Sequence, residues 1–439
     1  MIIRGARAIR GRILMPGDKS ISHRAAMFAA LAEGTSSITN FSTSADCAAT
    51  LACLKQLGVS IERENENLLI TGVGSDGLQA PQAPLECGNS GTTMRLLAGI
   101  LAGQDFNSTL TGDESLRSRP MQRIIEPLQM MGARISSDGG RAPLLIHGHK
   151  GLDAISYELL VASAQVKSCI LLAGLSVRGR TEVIENQTTR DHTERMLSSF
   201  GVQVQTGDAE REGENAHVAA VNGPARLTAQ RVSIPGDISS AAYFIAAAAL
   251  IPGSSLETSD VGVNPTRVVF LERLQALGLE IVVTNGREVN HEPVGIIRVE
   301  GPRKQLRTPE LPVTIGGLVV PQLIDELPLL AVVGSQIEGG IEIRDAAELR
   351  VKESDRIATT AQNLRAMGAV VEEFADGLRV AGPARLRGAK IDPRGDHRIA
   401  MAFTVAGLVA EGETEIGDSD CVAVSFPEFF ELLESVVER

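Results

Sequence analysis

Cationic and hydroxyl side chains gather where helices should begin. Residues 16–24 read PGDKSISHR and run straight into the apolar stretch AAMFAALAEG. Asp18 and Ser20 are good N-cap residues, so the pattern predicts a helix starting here. Nothing polar follows until Glu33, the mark of a helix buried all round, yet its first turn holds Lys19, Ser20, His23 and Arg24. A buried cation needs a partner, and Asp18 is the only acid close in sequence, so an anion has to come from elsewhere. Comparable residues stand at later helix starts: Asn89, Ser90 and Thr92; Ser163 and Gln165; Asp237; Asp325; and Asp396, His397 and Arg398. Helix N-termini offer unpaired N–H groups and partial positive charge, and several at one end of a bundle make an anion site. Ordinary capping accounts for Asp18, Asp237 and Ser239. It does not account for Lys19, Arg24 or Arg398, because a cation at an N-terminus opposes the dipole.

A second set of polar residues lies in RSRPM (Arg117, Arg119), TTRDHTERM (Arg190, Asp191, His192) and ELRVKESDRIA (Lys352, Glu353, Asp355, Arg356). On one helix, Lys352 and Arg356 would be like-charge neighbours, costing about 0.2–0.5 kcal/mol unless an anion lies between them. Glu353 and Arg356 read equally well as a surface salt bridge or a functional pair. Other signals carry less. GVGSDG, from residue 72 to residue 77, has the glycine spacing of a dinucleotide loop but is followed by Pro81 and Pro84 instead of a helix. His147 and His149 flank a glycine without a zinc ligand set.

The elements that position these residues repeat. A small polar cap, a helix of small apolar residues, a glycine and a short strand recur from Asp18, Asn89, Ser163, Asp237, Asp325 and Asp396, at steps of 71, 74, 74, 88 and 71 residues. A second, amphipathic helix recurs within the units. Its endings LKQLGVSI, LQMMGARI, LSSFGVQV, LQALGLEI and LRAMGAVV place a C′ glycine at Gly58, Gly132, Gly201, Gly278 and Gly368. The sixth counterpart, FPEFFELLESVVER, reaches the C-terminus without following strands, and residues 1–15 can supply them, so both chain ends are expected in one domain. All-apolar helices belong inside and alternating strands such as SIERENENLLITG outside, the inverse of the usual α/β barrel. Six units fit one ring or two lobes of three.

Composition bounds the function. The 439 residues suggest two or three domains. With 42 Lys+Arg against 54 Asp+Glu, the net charge of −12 argues against a general nucleic-acid or anionic-membrane surface. Five cysteines without a CxxC pair read as buried free thiols of a reducing cytoplasm. The N-terminus lacks a signal-peptide pattern, and the apolar helices fall short of the roughly 20 residues that span a bilayer.

Together, GDKSISHR, GNSGTTMRLL, RSRPM, ASAQVKS, TRDHTERML, RVKESDR and GDHRIAMAF resemble the 5-enolpyruvylshikimate-3-phosphate synthase family over essentially the whole chain and in family order. The resemblance implies two inside-out α/β lobes of three units each. Residues 1–15 plus 235–439 would form one lobe and 16–234 the other, with the active site in the cleft between them. It further implies enolpyruvyl transfer from phosphoenolpyruvate to the 5-hydroxyl of shikimate 3-phosphate by a cytoplasmic monomer, without metal or organic cofactor and with no nucleic-acid or membrane partner. Both substrates are polyanions, which would supply the missing anion. By motif position, shikimate 3-phosphate would meet Lys19, Ser20, Arg24, Ser163, Gln165, Arg190, Asp325 and Lys352. Phosphoenolpyruvate would meet Lys19, Gly91, Arg119, Gln165, Arg356 and Arg398, with Gly91 bare so that the ligand can approach closely. Asp325, Glu353 and Lys19 would carry the acid–base chemistry. Ala164 and Val424 depart from the pattern, the latter standing where some members have a phosphate-reaching lysine.

Two rivals predict other features. The related UDP-N-acetylglucosamine enolpyruvyl transferases would be expected to carry a Lys-Asn pair where this chain has Lys19-Ser20. A non-catalytic ring encircling DNA would need cations on the helices lining its hole, whereas these helices are rich in Ala and Leu.

Overall fold

The computed structural model describes residues 1–211, 214–302 and 313–439. Twelve principal helices come in pairs: α1 Lys19–Leu31 and α2 Ala45–Gln56, α3 Gly91–Ala102 and α4 Gln122–Met130, α5 Ala164–Gly174 and α6 His192–Ser199, α7 Ile238–Leu250 and α8 Val269–Ala276, α9 Leu327–Gly334 and α10 Arg356–Ala366, and α11 His397–Val409 and α12 Phe429–Val436. The first member of each pair is one of the small-residue helices. Every residue of α7 and of α9 is buried, and α1 is buried from Ile21 onward. Small side chains let these helices come close. A Cβ on Gly99 of α3 would lie 2.2 Å from the Cys169 carbonyl oxygen of α5. The second helices of the first five pairs end as the sequence predicts, with Gly58, Gly132, Gly201, Gly278 and Gly368 all at φ between 83° and 96°, a region that favours glycine.

The chain divides into two compact units. One holds Met1–Pro16, Pro235–Arg287 and Pro293–Arg439 and is called the terminal unit; the other, the inner unit, holds Gly17–Ile234 and Glu288–Glu292. Each has three of the small-residue helices, three sheets and one continuous apolar core. In the inner unit the strand Ala32–Thr39 lies antiparallel to Asn67–Val73, which forms a hairpin with Ser60–Glu64. The pattern repeats with Ser108–Thr111 against Arg141–His147, and with Gly179–Glu185 against Glu214–Gly223. In Arg141–His147 alternate residues Ala142, Leu144 and Ile146 face the core.

Each small-residue helix is followed by a strand with a parallel neighbour, and two of these neighbours are exchanged. Ala8–Leu14 runs into α1 yet pairs with Ser255–Gly262, the strand after α7. Arg231–Ser233 runs into α7 yet pairs with Ala32–Thr39, the strand after α1. Both chain ends are sewn into the terminal unit, Ile2–Arg4 against Glu413–Ile416 and Val437–Glu438 against Ala8–Leu14. All five cysteines are free and buried. Among the described residues no single helix is long and apolar enough to cross a membrane.

Candidate active site

In the inner unit, three helix starts carry side-chain caps. The Ile21 amide donates to Asp18 at 2.9 Å, the Thr93 amide to Ser90 at 3.1 Å and the Val166 amide to Ser163 at 3.4 Å. Lys19 and Ser20 open α1, half-buried, with Lys19 Nζ 2.9 Å from Asp46 Oδ2 of α2. Gly91 opens α3. A Cβ there would lie 2.6 Å from Arg95 Nη1 and 3.6 Å from Arg119 Nη1, so the bare backbone makes room for two guanidinium groups. Arg95 donates to Gln165 Oε1 at 2.6 Å, and Gln165 Nε2 donates to Thr92 Oγ1 at 2.9 Å. Arg119, nearly fully buried, donates to Asn89 Oδ1 at 2.5 Å. Lys19, Arg95, Arg119 and Gln165 thus stand at the starts of α1, α3 and α5 or over them, where the dipoles already favour an anion. Arg190 is half-buried just before α6.

Arg24 departs from the expectation of a cation without partners in the fold. Its Nε donates to Thr193 Oγ1 at 2.7 Å, its Nη2 to Ser168 Oγ at 2.8 Å and its Nη1 to the Ser20 carbonyl at 2.9 Å. Burial pushes its pKa down to about 10, and among its neighbours Glu194 opposes that fall most. Its partners on α5 and α6 lie 144 and 169 positions away, where the local sequence could not reveal them.

In the terminal unit, Asp237 caps α7 and Asp396 caps α11, accepting from the Ser239 amide at 2.8 Å and the Arg398 amide at 2.9 Å. Ser239 does not cap. It accepts from Arg267 Nη2 at 2.6 Å and donates to Glu326. Asp325 does not cap either, since α9 begins at Leu327 behind Glu326 and has no side-chain cap. Instead Asp325 faces two cations, with Oδ1 3.4 Å from Arg356 Nη1 and Oδ2 3.7 Å from Arg398 Nη2. Arg356 also donates to Glu353 Oε2 at 2.6 Å and to Asp396 Oδ2 at 2.8 Å. At 2 % exposure it is no surface residue, which rules out the plain surface salt bridge for Glu353 and Arg356. Burial alone would lower the pKa of Arg356, but Asp396 and Glu353 more than reverse this and hold it above the usual arginine range. Arg398 is raised in the same way, against burial, first by Asp325.

Lys352 is a second correction. It lies in extended backbone before α10, which starts only at Arg356, so Lys352 and Arg356 do not form a helical like-charge pair. Its Nζ donates to Glu348 Oε1 at 3.1 Å. The sequence reading also passed over Arg95, Asp46 and Glu326, and it took Asp396 as a helix start without seeing it as a ligand of Arg356. Arg95 had a signal: it is the one cation inside the apolar run GTTMRLLAGILAG. The others had none, because their partners are distant in sequence.

Chemically, the inner-unit cluster is a cationic cradle of arginines and a lysine over helix starts. The terminal-unit cluster holds two half-exposed carboxylates, Asp325 and Glu353, against one buried guanidinium. The first suits anionic groups, and the second suits proton transfer.

The family model for EPSP synthase (3-phosphoshikimate 1-carboxyvinyltransferase) matches residues 3–433. A 3-phosphoshikimate 1-carboxyvinyltransferase of Geobacter sp. (strain M21) is 48% identical over 439 residues, covering 100% of this chain and 99% of that one. One of Gloeobacter violaceus is 51% identical over 438 residues, covering 99% and 98%. An EPSP synthase structure from Acinetobacter baumannii superposes with TM-score 0.84 and 42% identity, covering 99% of this chain and 97% of that chain. The enolpyruvyl transferase NikO from Streptomyces tendae, at TM-score 0.74 and 17% identity, shares the fold. With this full-length agreement behind the two clusters of charge, the chain belongs to the EPSP synthase family.

Proposed function

We propose that the chain transfers the enolpyruvyl group of phosphoenolpyruvate to the 5-hydroxyl of shikimate 3-phosphate, releasing phosphate. The observation that carries this reading is identity of about half along the full length with proteins bearing that activity in their names. Transfer to UDP-N-acetylglucosamine and DNA encirclement have no such support. Each unit is read as an inside-out α/β lobe, its buried helices within and its sheets outside, and the two clusters are read as halves of one active site. The enzyme is taken to be a cytoplasmic monomer.

In this reading Lys19, Ser20, Ser163, Gln165, Arg190 and Lys352 hold shikimate 3-phosphate, and Lys19, Gly91, Arg119, Gln165, Arg356 and Arg398 hold phosphoenolpyruvate. Arg95 joins the second set through its bond to Gln165. Glu353 donates a proton to the methylene carbon of phosphoenolpyruvate, which leaves its C2 electrophilic. The 5-hydroxyl oxygen attacks C2 while Asp325 takes the hydroxyl proton. The tetrahedral intermediate then returns a proton from the new methyl group and expels phosphate, giving the enol ether. Arg356, bonded to Glu353 and close to Asp325, fixes both carboxylates relative to each other. Lys19, 2.9 Å from Asp46, is the other proton carrier at hand.

The test is phosphate release with both substrates, with each omitted, and with UDP-N-acetylglucosamine as acceptor. Release that requires shikimate 3-phosphate and phosphoenolpyruvate together is expected. Release with the sugar nucleotide alone as acceptor would overturn the reading.

A further inference from the structure

Lys167 is fully buried in α5, near the helix start that carries Ser163 and Gln165. Its Nζ donates to Glu185 Oε2 at 2.7 Å and lies 2.7 Å from Glu194 Oε1. Glu185 ends the strand Gly179–Glu185 and Glu194 lies in the first turn of α6; both are buried. The approach to Glu194 is close but outside hydrogen-bonding geometry, and neither of its carboxylate oxygens has a hydrogen-bond partner among the described residues. Burial by itself would lower the Lys167 pKa, but Glu194 and Glu185 more than reverse this, so the ammonium stays charged.

One cation between two carboxylates leaves a negative excess, and Arg24 offsets it. Its guanidinium bonds Ser168 and Thr193, the residues adjoining Lys167 and Glu194. Glu185, Lys167 and Glu194 join a strand with α5 and α6, and Arg24 ties α1 to them through the Ser168 and Thr193 hydroxyls. A buried ion cluster is a poor device for stability, since apolar side chains of equal volume commonly do as well. What it fixes is relative position. Two hydrogen bonds lead out of it toward the candidate site: Arg24 Nη1 donates to the Ser20 carbonyl, and Thr189 Oγ1, next to Arg190, donates to Glu185 Oε1.

We propose that the Glu185–Lys167–Glu194–Arg24 series is a positioning device that, through Thr189, holds Arg190 and the α5 start in register to receive shikimate 3-phosphate. The proposal rests on the assignment of Arg190 and Ser163 to that substrate.

Thr189→Val removes the outward hydroxyl while keeping the shape, and Thr189→Ser keeps the hydroxyl. Steady-state kinetics, calorimetric binding of shikimate 3-phosphate and thermal melts are measured on both and on the unmodified enzyme. Thr189→Val should raise KM and Kd for shikimate 3-phosphate about tenfold, the scale of one lost hydrogen bond to a charged group. KM for phosphoenolpyruvate should stay put while Tm falls modestly, because a buried Glu185 oxygen loses its donor, and Thr189→Ser should restore both the affinity and Tm. A neutral triple variant, Lys167→Met with Glu185→Gln and Glu194→Gln, should show the same one-sided loss. Thr189→Val or the triple variant with unchanged shikimate 3-phosphate affinity overturns the proposal, as does equal loss of affinity for both substrates. An unmodified enzyme that does not bind shikimate 3-phosphate overturns the functional reading and this inference with it.

Discussion

Glu353 and Asp325 share one guanidinium but differ in what else they touch. Glu353 accepts from Arg356, whereas Asp325 approaches both Arg356 and Arg398. The cations around Glu353 favour its ionised form, so the incoming substrate anions have to offset them before it can give up a proton. Glu353→Gln should leave both substrates able to bind and slow phosphate release by about 10²-fold or more, the scale of a lost general acid. Asp325→Asn should lose rate and also weaken shikimate 3-phosphate binding. Single-turnover kinetics with calorimetry separates the two; normal turnover and normal solvent-proton exchange into the methylene group of phosphoenolpyruvate in Glu353→Gln would pass the proton to Lys19. The arginines should divide as well. Arg119 bonds the neutral Asn89 and Ser115, so Arg119→Ala should weaken phosphoenolpyruvate binding by about 2–5 kcal/mol with little change in folding. Arg398 lies 3.4 Å from Glu326 and 3.7 Å from Asp325. Arg398→Ala takes the cation from the buried Glu326 and should cost about 3–5 kcal/mol of stability as well as binding. Denaturant melts of both variants check this; equal stability would mean that Glu326 and Asp325 are satisfied without Arg398.

At the scale of elements, α1 shows how far sequence reaches. Its start, its burial and its Asp18 cap follow from local residues, as do the five glycine-ended helices. The partners of its polar residues do not. Lys19 pairs with Asp46 and Arg24 with groups of α5 and α6, because those contacts depend on how the helices pack. Lys352 failed for a related reason: helical spacing assumed a helix that begins four residues later. His23 is a further polar residue of α1. It is buried, its Nδ1 sits 2.7 Å from Thr50 Oγ1, and Thr50 in turn meets Thr93 of α3 at 2.7 Å. Burial, with Lys19 and Arg24 nearby, holds its pKa well below 6.5 against the pull of Asp18. The sign follows. Below 6.5 the unfolded chain takes up a proton that the folded one refuses, so stability falls as pH drops and is flat above 6.5 on this account. The advantage of the unmodified protein over His23→Asn should shrink by about 1.4 kcal/mol per pH unit below that point. Urea unfolding of both proteins between about pH 7 and about pH 5 measures it, and a constant difference would place the titration elsewhere.

At the scale of the whole chain, the repeat made six units readable, but neither their division into two groups of three nor the exchange of Ala8–Leu14 and Arg231–Ser233. The repeat is nearly the same in every copy, so nothing in a strand's own residues says which copy's sheet it joins. The exchange puts Ala8–Leu14 directly before α1, which carries Lys19, while pairing it in the sheet that follows α7. A reaction that uses both charge clusters therefore needs residues from each unit, since Lys19, Arg119 and Arg190 belong to the inner one and Asp325, Glu353, Arg356 and Arg398 to the terminal one. Substrate should therefore draw the units together. Small-angle scattering is expected to show a smaller radius of gyration on adding shikimate 3-phosphate, and no further loss of compactness when phosphoenolpyruvate follows. The Glu353→Gln variant allows the measurement with both substrates present and turnover slowed. A radius unchanged under saturating substrates would mean that one unit carries the reaction alone, and the assignment of residues to both would have to be withdrawn.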